Sequence, residues 1–209
     1  DVVSQITAFD LTKLNTMLSQ NSEERSNDRV TKAAVENASS ENSRAQIVSD
    51  GNVVIEANNK NNIKSTTNNA AGGVLKVAGG TIGIVRTQEN VLAYVGKYGY
   101  IRAQSLEIRA LSWDTVKVQS QAASATLGGG VHAYIALAKV TPLIEAYLGD
   151  YTNVAAAKNI KIDAEVTPEV DTKVESINLG GGGVIGASTA NSLVEPEVKA
   201  WIGDHVLVL

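Results

Sequence analysis

The sequence contains no cysteine and very few aromatic residues. Among its 209 residues there is no Cys, and Phe, Trp and Tyr together make up 4% of the chain. The absence of cysteine excludes disulfide bonds, thiolate metal ligands and a cysteine nucleophile. The low aromatic content, beside 18 glycines, favours thin cores in which small side chains let backbones approach closely.

Two further absences exclude whole classes of protein. Lys and Arg number 18 against 22 Asp and Glu with no basic block, so the electrostatic footprint of a nucleic-acid-binding protein is missing. No apolar run reaches the roughly 18 residues of a membrane-spanning helix, and no charged-then-apolar signal peptide opens the chain. The chain starts at Asp1 without Met and ends on an apolar stretch, so we expect a fragment of a longer protein.

What the sequence does contain is a repeat. Three similar strand-like words, NVVIEA, SLEIRA and NIKIDA, begin at Asn52, Ser105 and Asn159, which gives offsets of 53 (105 − 52) and 54 (159 − 105). A second set of words, AYVG, AYLG and AWIG, has the same two offsets and begins at Ala93, Ala146 and Ala200. A fixed period of this size is typical of repeat architectures.

The pattern within each unit is that of β-strands. Words such as NIKIDA alternate apolar and polar residues, and Gly, Asn, Asp and Pro separate the alternating segments. Because a sandwich gives no phrase at a fixed spacing, we predict an all-β fold, a parallel β-helix (β-solenoid) with imperfect 53–54-residue repeats. Three coils of roughly 18 residues per repeat, or two of roughly 26, both stay open. Pro142 and Pro196 are expected at coil corners.

The first 46 residues differ from the repeat. Apolar residues fall on one helical face after Asp10 as the N-cap, and this predicts a helix from Leu11 to Gln20. We expect the polar residues up to about Arg44 to form a second helix or a mobile loop. The predicted division is therefore a helical and polar segment over 1–46, an excursion or cap, followed by a β-solenoid of about three repeat units over 47–209.

The words AYVG, AYLGD and AWIGD, with VVIEA-type strands and Gly/Ala-rich runs between them, resemble the repeats of large filamentous-haemagglutinin-like and leukotoxin-like adhesins of Gram-negative bacteria. The resemblance covers roughly residues 45–209. It implies a right-handed β-helix shaft, exposure at the cell surface, export by a type V autotransporter or two-partner route, and a role in attachment or aggregation. It implies no catalytic residue.

Candidate sites for chemistry are few. Tyr94, Tyr147 and Trp201 share one repeat position and predict a stacked aromatic column, either a structural ladder or a platform for a ligand such as a sugar. His132 and His205 occupy non-equivalent positions of the repeat, so we expect neither a metal site nor a Ser/His/Asp triad.

The Gly-Asp steps that end at Asp150 and Asp204 are a second candidate. Carboxylates at such steps can bind Ca²⁺ between coils. Because the first unit has Lys97 at this position, a corner turn is the preferred interpretation. We predict no cofactor, no metal and no catalytic residue.

The predicted function is that of a structural shaft segment of an extracellular filamentous adhesin, which mediates attachment or aggregation without catalysis. The alternatives are a β-helix polysaccharide-degrading enzyme, which needs two nearby carboxylates, and a self-assembling surface fibre subunit that associates end to end. The expected partners are an outer-membrane transporter during export and host or neighbouring-cell surfaces or glycans, with no nucleic acid. The expected location is extracellular, at the bacterial cell surface.

Overall fold

The structure is a computed structural model that describes residues 22–75 and 77–209, and these residues are nearly all parallel β-sheet. The strands in this part of the chain are β1 Ser22–Val35, β2 Gln46–Val48, β3 Asn52–Gly73, β4 Val77–Val95, β5 Tyr100–Ala103, β6 Ser105–Thr126, β7 Gly130–Leu148, β8 Asn153–Ala156, β9 Ile160–Gly180, β10 Val184–Val194, β11 Glu197–Ile202 and β12 Leu207–Val208. A 3-10 turn, Glu41–Ser43, lies between β1 and β2.

The strands form three parallel sheets. Sheet A contains β1, β4 and β7, followed by β10 and β11 on the far side of β7; sheet B contains β2, β5, β8 and β12; and sheet C contains β3, β6 and β9. The chain passes through sheets C, A and B in turn, and we call one such passage a coil. Coil I is β3–β5, coil II is β6–β8 and coil III is β9–β12, and the partial coil β1–β2 precedes them.

The register between coils confirms the period that the sequence predicts. Asn52 pairs with Ser105 and Leu106 pairs with Ile160, and these pairs reproduce the two offsets between the repeated words. Each repeat is therefore one coil, and the predictions of two or three shorter coils per repeat are wrong. The shorter coils were predicted because polar runs such as the one around Asn59 look like turns. This run instead lies inside a strand of 22 residues.

The core lies between sheets A and C and is closed at one end by sheet B. Alternate residues point inward, and the largest apolar cluster gathers near sheet B, where Ile101, Ile108 and Ile144 are fully buried. A smaller cluster around Val85, Val116 and Val118 lies further along the same interior. Burial of each such side chain stabilises the fold by about 1.5–3 kcal/mol. The arrangement is all-β and consistent with a solenoid-like fold.

The structure corrects the prediction for the segment before Arg44. Ser22–Val35 is strand β1, paired in parallel with β4, so a helix or mobile loop over these residues is wrong. Pairing with β4 satisfies the backbone of a polar segment whose local pattern gives little indication of a strand. The helix predicted from Leu11 to Gln20 lies outside the described residues, and the division at residue 46 stays a prediction. Among the residues described, no helix is long and apolar enough to cross a membrane.

The prolines do not mark corners. Pro142 lies inside β7, where it pairs with Glu89 of β4. Pro196 is the equivalent residue of coil III and lies in the short break between β10 and β11. Both prolines therefore interrupt hydrogen bonding at the same place along sheet A, because a proline nitrogen cannot donate to the ladder.

Candidate functional site

The structure brings the three predicted aromatic residues together in one column. Tyr94 and Tyr147 stack with ring centroids 4.7 Å apart and an interplanar angle of 2°. Tyr147 and Trp201 stack at 4.3 Å and 9°. The stack forms because these residues are direct partners in the parallel register of sheet A. They alternate with inward-facing core residues, so the rings lie on the outer face of the sheet.

The first end of this column is covered and the last end is open. The Lys32 ammonium lies 5.3 Å from the centre of the Tyr94 ring, and the Tyr94 hydroxyl donates to Glu36 at 3.1 Å. Lys32 and Glu36 form an ion pair of 2.6 Å, and hydrogen bonds from Lys32 and Tyr94 lower the pKa of Glu36. Tyr94 is 5% exposed whereas Trp201 is 39% exposed. The outer face of the Trp201 ring is open to a ligand that stacks on aromatic rings. Binding of such a ligand to this column stays a prediction.

A second aromatic column, which was not predicted from the sequence, lies at the turn after sheet A. Tyr98 stacks on Tyr151 at 5.2 Å, and Tyr151 stacks on His205 at 4.8 Å. All three residues have left-handed backbones, with φ of 59°, 56° and 56°, which is uncommon for side chains of this size. The signal was available in the sequence, because these rings follow one another at the same two offsets as the repeated words, 53 (151 − 98) and 54 (205 − 151).

The Gly-Asp steps form corner turns, as the sequence predicts. The Asp150 carboxylate accepts the Asp204 backbone N–H at 3.0 Å, so the side chain links two successive coils. Asn37 does the same between the partial coil and coil I, accepting the Lys97 backbone N–H at 2.8 Å. Within the described residues no group of three or more His, Cys, Asp or Glu side chains is placed to hold a metal ion.

A pair of acidic side chains lies in the interior between sheets A and C. Glu89 of β4 and Asp114 of β6 are each 1% exposed. The side-chain amides of Asn59 and Asn61 donate to the two carboxylate oxygens of Glu89. The Ser112 hydroxyl donates to Asp114 at 3.3 Å. These polar residues supply hydrogen bonds to the two acids, which burial would otherwise make costly.

The environment of Glu89 changes its protonation. Burial, together with hydrogen bonding to Asp114 and repulsion from its charge, raises the pKa of Glu89 to about 7, although Asn61 and Arg29 act in the opposite direction. Glu89 therefore exchanges its proton near neutral pH. The pair was not predicted from the sequence because the two acids belong to strands of different sheets, β4 in sheet A and β6 in sheet C. The sequence did contain a signal for a buried pair, because both acids occupy inward positions of strands with alternating burial.

A buried serine–histidine contact lies at the other end of the interior. The Ser124 hydroxyl and His132 Nε2 are 3.0 Å apart, and Ser124 donates to the Asn178 side chain at 2.7 Å. His132 is 2% exposed, its Nδ1 has no hydrogen-bond partner in the described part of the chain, and burial lowers its pKa. No carboxylate among the described residues orients this imidazole, which is what a catalytic triad requires. Beside the contact, an open groove of about 290 Å³ is lined by residues that include Tyr134, Asn178 and Ser188.

Comparisons of this chain with protein-family models, with curated proteins and with solved structures found no match. The class of protein therefore rests on the architecture itself: an all-β chain of parallel strands in which one coil repeats in register with the sequence period.

Proposed function

We propose that this chain is a β-solenoid shaft segment of an extracellular filamentous adhesin, and that it provides length and stiffness without catalysis. The observation that supports this proposal is the offset of 53 residues that all three sheets share between coils I and II. Tyr100 pairs with Asn153 in sheet B at the same offset as Asn52 with Ser105 in sheet C. Side chains at equivalent positions therefore stack in continuous columns along one axis.

Stacked coils of this kind suit a mechanical role. Each coil contacts its neighbours alone, so the stability of the chain is close to a sum of coil and interface terms, and coils can be added without changing the fold. Hydrogen bonds between strands run along the axis and resist bending and extension. Such an object carries whatever is attached at its tip away from the cell.

The adhesive role and the location rest on the resemblance of the repeats to filamentous adhesins. In that role the chain is exported through an outer-membrane transporter and meets host or neighbouring-cell surfaces or glycans. The outer face of sheet C fits such exposure because charges on it are paired between coils. Lys161 of β9 lies 3.4 Å from Glu107 of β6, and Arg109 of β6 lies 2.8 Å from Glu56 of β3.

The enzyme alternative is less well supported by the geometry. A glycosidase needs two carboxyl groups open to the sugar, and Glu89 and Asp114 are sealed inside the chain. Several carboxylates on the outer faces are engaged by lysines, as in the contact of 3.5 Å between Lys199 and Glu145. We therefore propose a non-catalytic role.

Electron cryomicroscopy of the purified chain tests the shaft. Because β3 and β6 have 22 residues each, we expect a flat particle roughly 70 Å wide in which coils repeat at about 4.8 Å along the short axis. A particle without this axial repeat would contradict the proposal. Ile108→Asp, which places a charge in the fully buried core, is the unfolded control.

Adhesion is tested by coating beads with the chain and counting the beads that bind to epithelial cells and to bacteria. Beads coated with the Ile108→Asp variant are the control. Equal binding by the two kinds of bead would contradict the adhesive role but would not contradict the structural role of the shaft. Cleavage of pectin, alginate or host glycans by the purified chain would contradict the non-catalytic role.

A further inference from the structure

The buried acids of the interior have little positive charge near them. Glu89 and Asp114 are both buried and lie close enough to share a hydrogen bond. Among the described residues, Arg29 of β1 is the cation that acts on Glu89, and its own side chain is exposed, so solvent screens its charge. Acids that stay charged in an interior are paired with a cationic side chain or coordinate a metal ion.

Oxygen-bearing neutral side chains surround the two acids. The amides of Asn59 and Asn61 donate to the Glu89 carboxylate, and the Ser112 hydroxyl lies 3.3 Å and 3.4 Å from the two carboxylate oxygens of Asp114. A hydroxyl can accept as well as donate, and an amide that turns over presents its oxygen in place of its nitrogen. The same side chains can therefore hold either a proton between the acids or a cation.

Contacts across the interior show which residues of β4 and β6 face each other. The hydroxyls of Thr81 in β4 and Ser120 in β6 form a hydrogen bond. A Cβ atom on Gly83 would lie 3.2 Å from a methyl group of Val118. Two residues forward in β4 are thus two residues back in β6, as expected for strands that run in opposite directions on the two walls of a coil.

One hydroxyl in this part of the interior has no hydrogen-bond partner. Thr87 is 3% exposed, and its Oγ1 has no partner in the part of the chain that the structure describes. Four residues beyond Gly83 in β4 is Thr87, and four residues before Val118 in β6 is Asp114, so the two side chains lie at the same level and point inward. An unpaired buried hydroxyl is costly, and here it faces a carboxylate.

The repeat does not require these polar residues. The register partner of Glu89 in coil II is Pro142, and the register partner of Asp114 in coil III is Pro168. A polar ladder with a structural role alone would continue at the same positions from coil to coil. The acids instead occur once, between coils I and II, and apolar proline rings lie on the coil III side of them.

We propose that Glu89 and Asp114 bind one calcium ion in the interior between coils I and II. The remaining ligands are side-chain oxygens of Asn59, Asn61, Thr87 and Ser112. A set of oxygen donors with two carboxylates suits a hard divalent cation and balances its charge. Calcium accepts six to eight such ligands in flexible geometry, whereas magnesium requires a near-ideal octahedron and keeps several waters, so a site built from protein oxygens favours calcium.

A proton and calcium compete for the same pair of acids. Without the ion, a hydrogen bond between Glu89 and Asp114 neutralises part of their charge. Arg29 repels a cation at this place, and its exposure to solvent limits the effect. We therefore expect a modest affinity, with a dissociation constant of about 10⁻⁵ to 10⁻³ M. The inference does not depend on the shaft proposed above.

Because the ligands are buried, the full chain is refolded from urea in calcium, in magnesium or in EDTA before calcium is counted by equilibrium dialysis. We expect one calcium ion per chain and binding of magnesium that is weaker by at least about tenfold. Glu89→Gln should weaken calcium binding by at least about tenfold, and calcium should raise the unfolding temperature of the wild type but not of this variant. Glu165→Gln, which changes an exposed acid of β9, is the control.

Thr87→Val tests the unpaired hydroxyl without opening a cavity. In EDTA it should be as stable as the wild type or more stable, because a buried polar atom without a partner is removed, yet its calcium affinity should fall by roughly threefold to tenfold. Thr67→Val is the matched control, since Thr67 is also buried but donates to the Gln119 carbonyl oxygen at 3.4 Å, and it should leave the affinity unchanged.

Four outcomes would overturn the inference and leave the shaft standing. They are a wild-type chain that binds no calcium, several equal ions per chain, an equal effect of Glu165→Gln and Glu89→Gln, and an unchanged affinity in Thr87→Val.

Discussion

Gly149 lies where the turn of coil II passes closest to the backbone of coil I. A Cβ atom at this position would lie 2.9 Å from the Lys97 nitrogen and 3.1 Å from the Val95 carbonyl oxygen. Backbone atoms cannot move aside as the end of a flexible side chain can, so Gly149→Ala should force the two coils apart. We expect a loss of about 1–3 kcal/mol in the free energy of unfolding, measured by urea denaturation.

Gly186→Ala is the control for this prediction. The nearest atom to a Cβ there is the Asn178 side-chain nitrogen, at 3.7 Å, which is ordinary contact. This variant should be neutral, or more stable by about 0.4–1 kcal/mol because alanine restricts the unfolded chain. Equal losses in the two variants would show that the close approach at Gly149 is not the cause.

The buried acid Glu89 makes stability depend on pH near neutrality. Its pKa in the fold is about 7, above the ordinary value of 4.5, so the folded chain binds this proton more tightly than the unfolded chain does. The stabilising contribution is complete below the ordinary value and is lost as the pH rises through about 7. Glu89→Gln mimics the protonated form, so it should remove this slope and be more stable than the wild type by a few kcal/mol at about pH 8.

The measurement is the free energy of unfolding of both proteins between about pH 5 and 8. His132 contributes with the opposite sign, because burial lowers its pKa and the fold then loses stability as the pH falls through the ordinary value of this histidine. Asp114 and Arg29 act on Glu89 and are present in both proteins. The difference between the two curves therefore reports Glu89 together with its interaction with Asp114, and parallel curves would refute the prediction.

At the scale of the elements, the aromatic column joins three strands of sheet A. Tyr147 of β7 contacts a ring on each side, so Tyr147→Leu keeps apolar bulk and removes two stacked contacts. Each such contact contributes about 0.5–1.5 kcal/mol, and the variant should lose roughly 1–3 kcal/mol in thermal or urea unfolding. Trp113→Leu is the control, since Trp113 stacks on no described ring. A loss no larger than that of the control would mean that the column adds little stability.

The sequence predicts the sheets better than it predicts the length of their strands. The offset between Ala93 and Ala146 is visible as repeated words and becomes the register of sheet A. The long strands were missed because polar residues at inward positions, such as Asn61 and Ser65, read as turns although they are buried. Strand β1 was missed because it shares no repeated word with β4, and its pairing is visible in three dimensions alone.

The residues of the candidate site also divide into contacts that the repeat predicts and contacts that it does not. The column of Tyr94, Tyr147 and Trp201 follows from the period, because equal positions in a repeat must stack. The contact of Glu89 with Asp114 joins strands of different sheets, and no periodicity within either strand indicates which residues face each other across the interior. Contacts along the axis are thus predictable from the repeat, and contacts across it are not.

At the scale of the whole molecule, stability should vary along the axis. Strands β6 and β7 have a paired strand on both sides, whereas each strand of coil III has a paired strand on one side within the described chain. Inward residues of the middle coil such as Val116 and Ile144 are fully buried. In a stack of coils with neighbour contacts alone, the ends open before the middle. Hydrogen exchange followed by mass spectrometry should therefore show slowest exchange in β6 and β7 and faster exchange in β9–β12. Uniform exchange along the chain would contradict a stack whose ends open first, since equal protection of all coils requires that they open together.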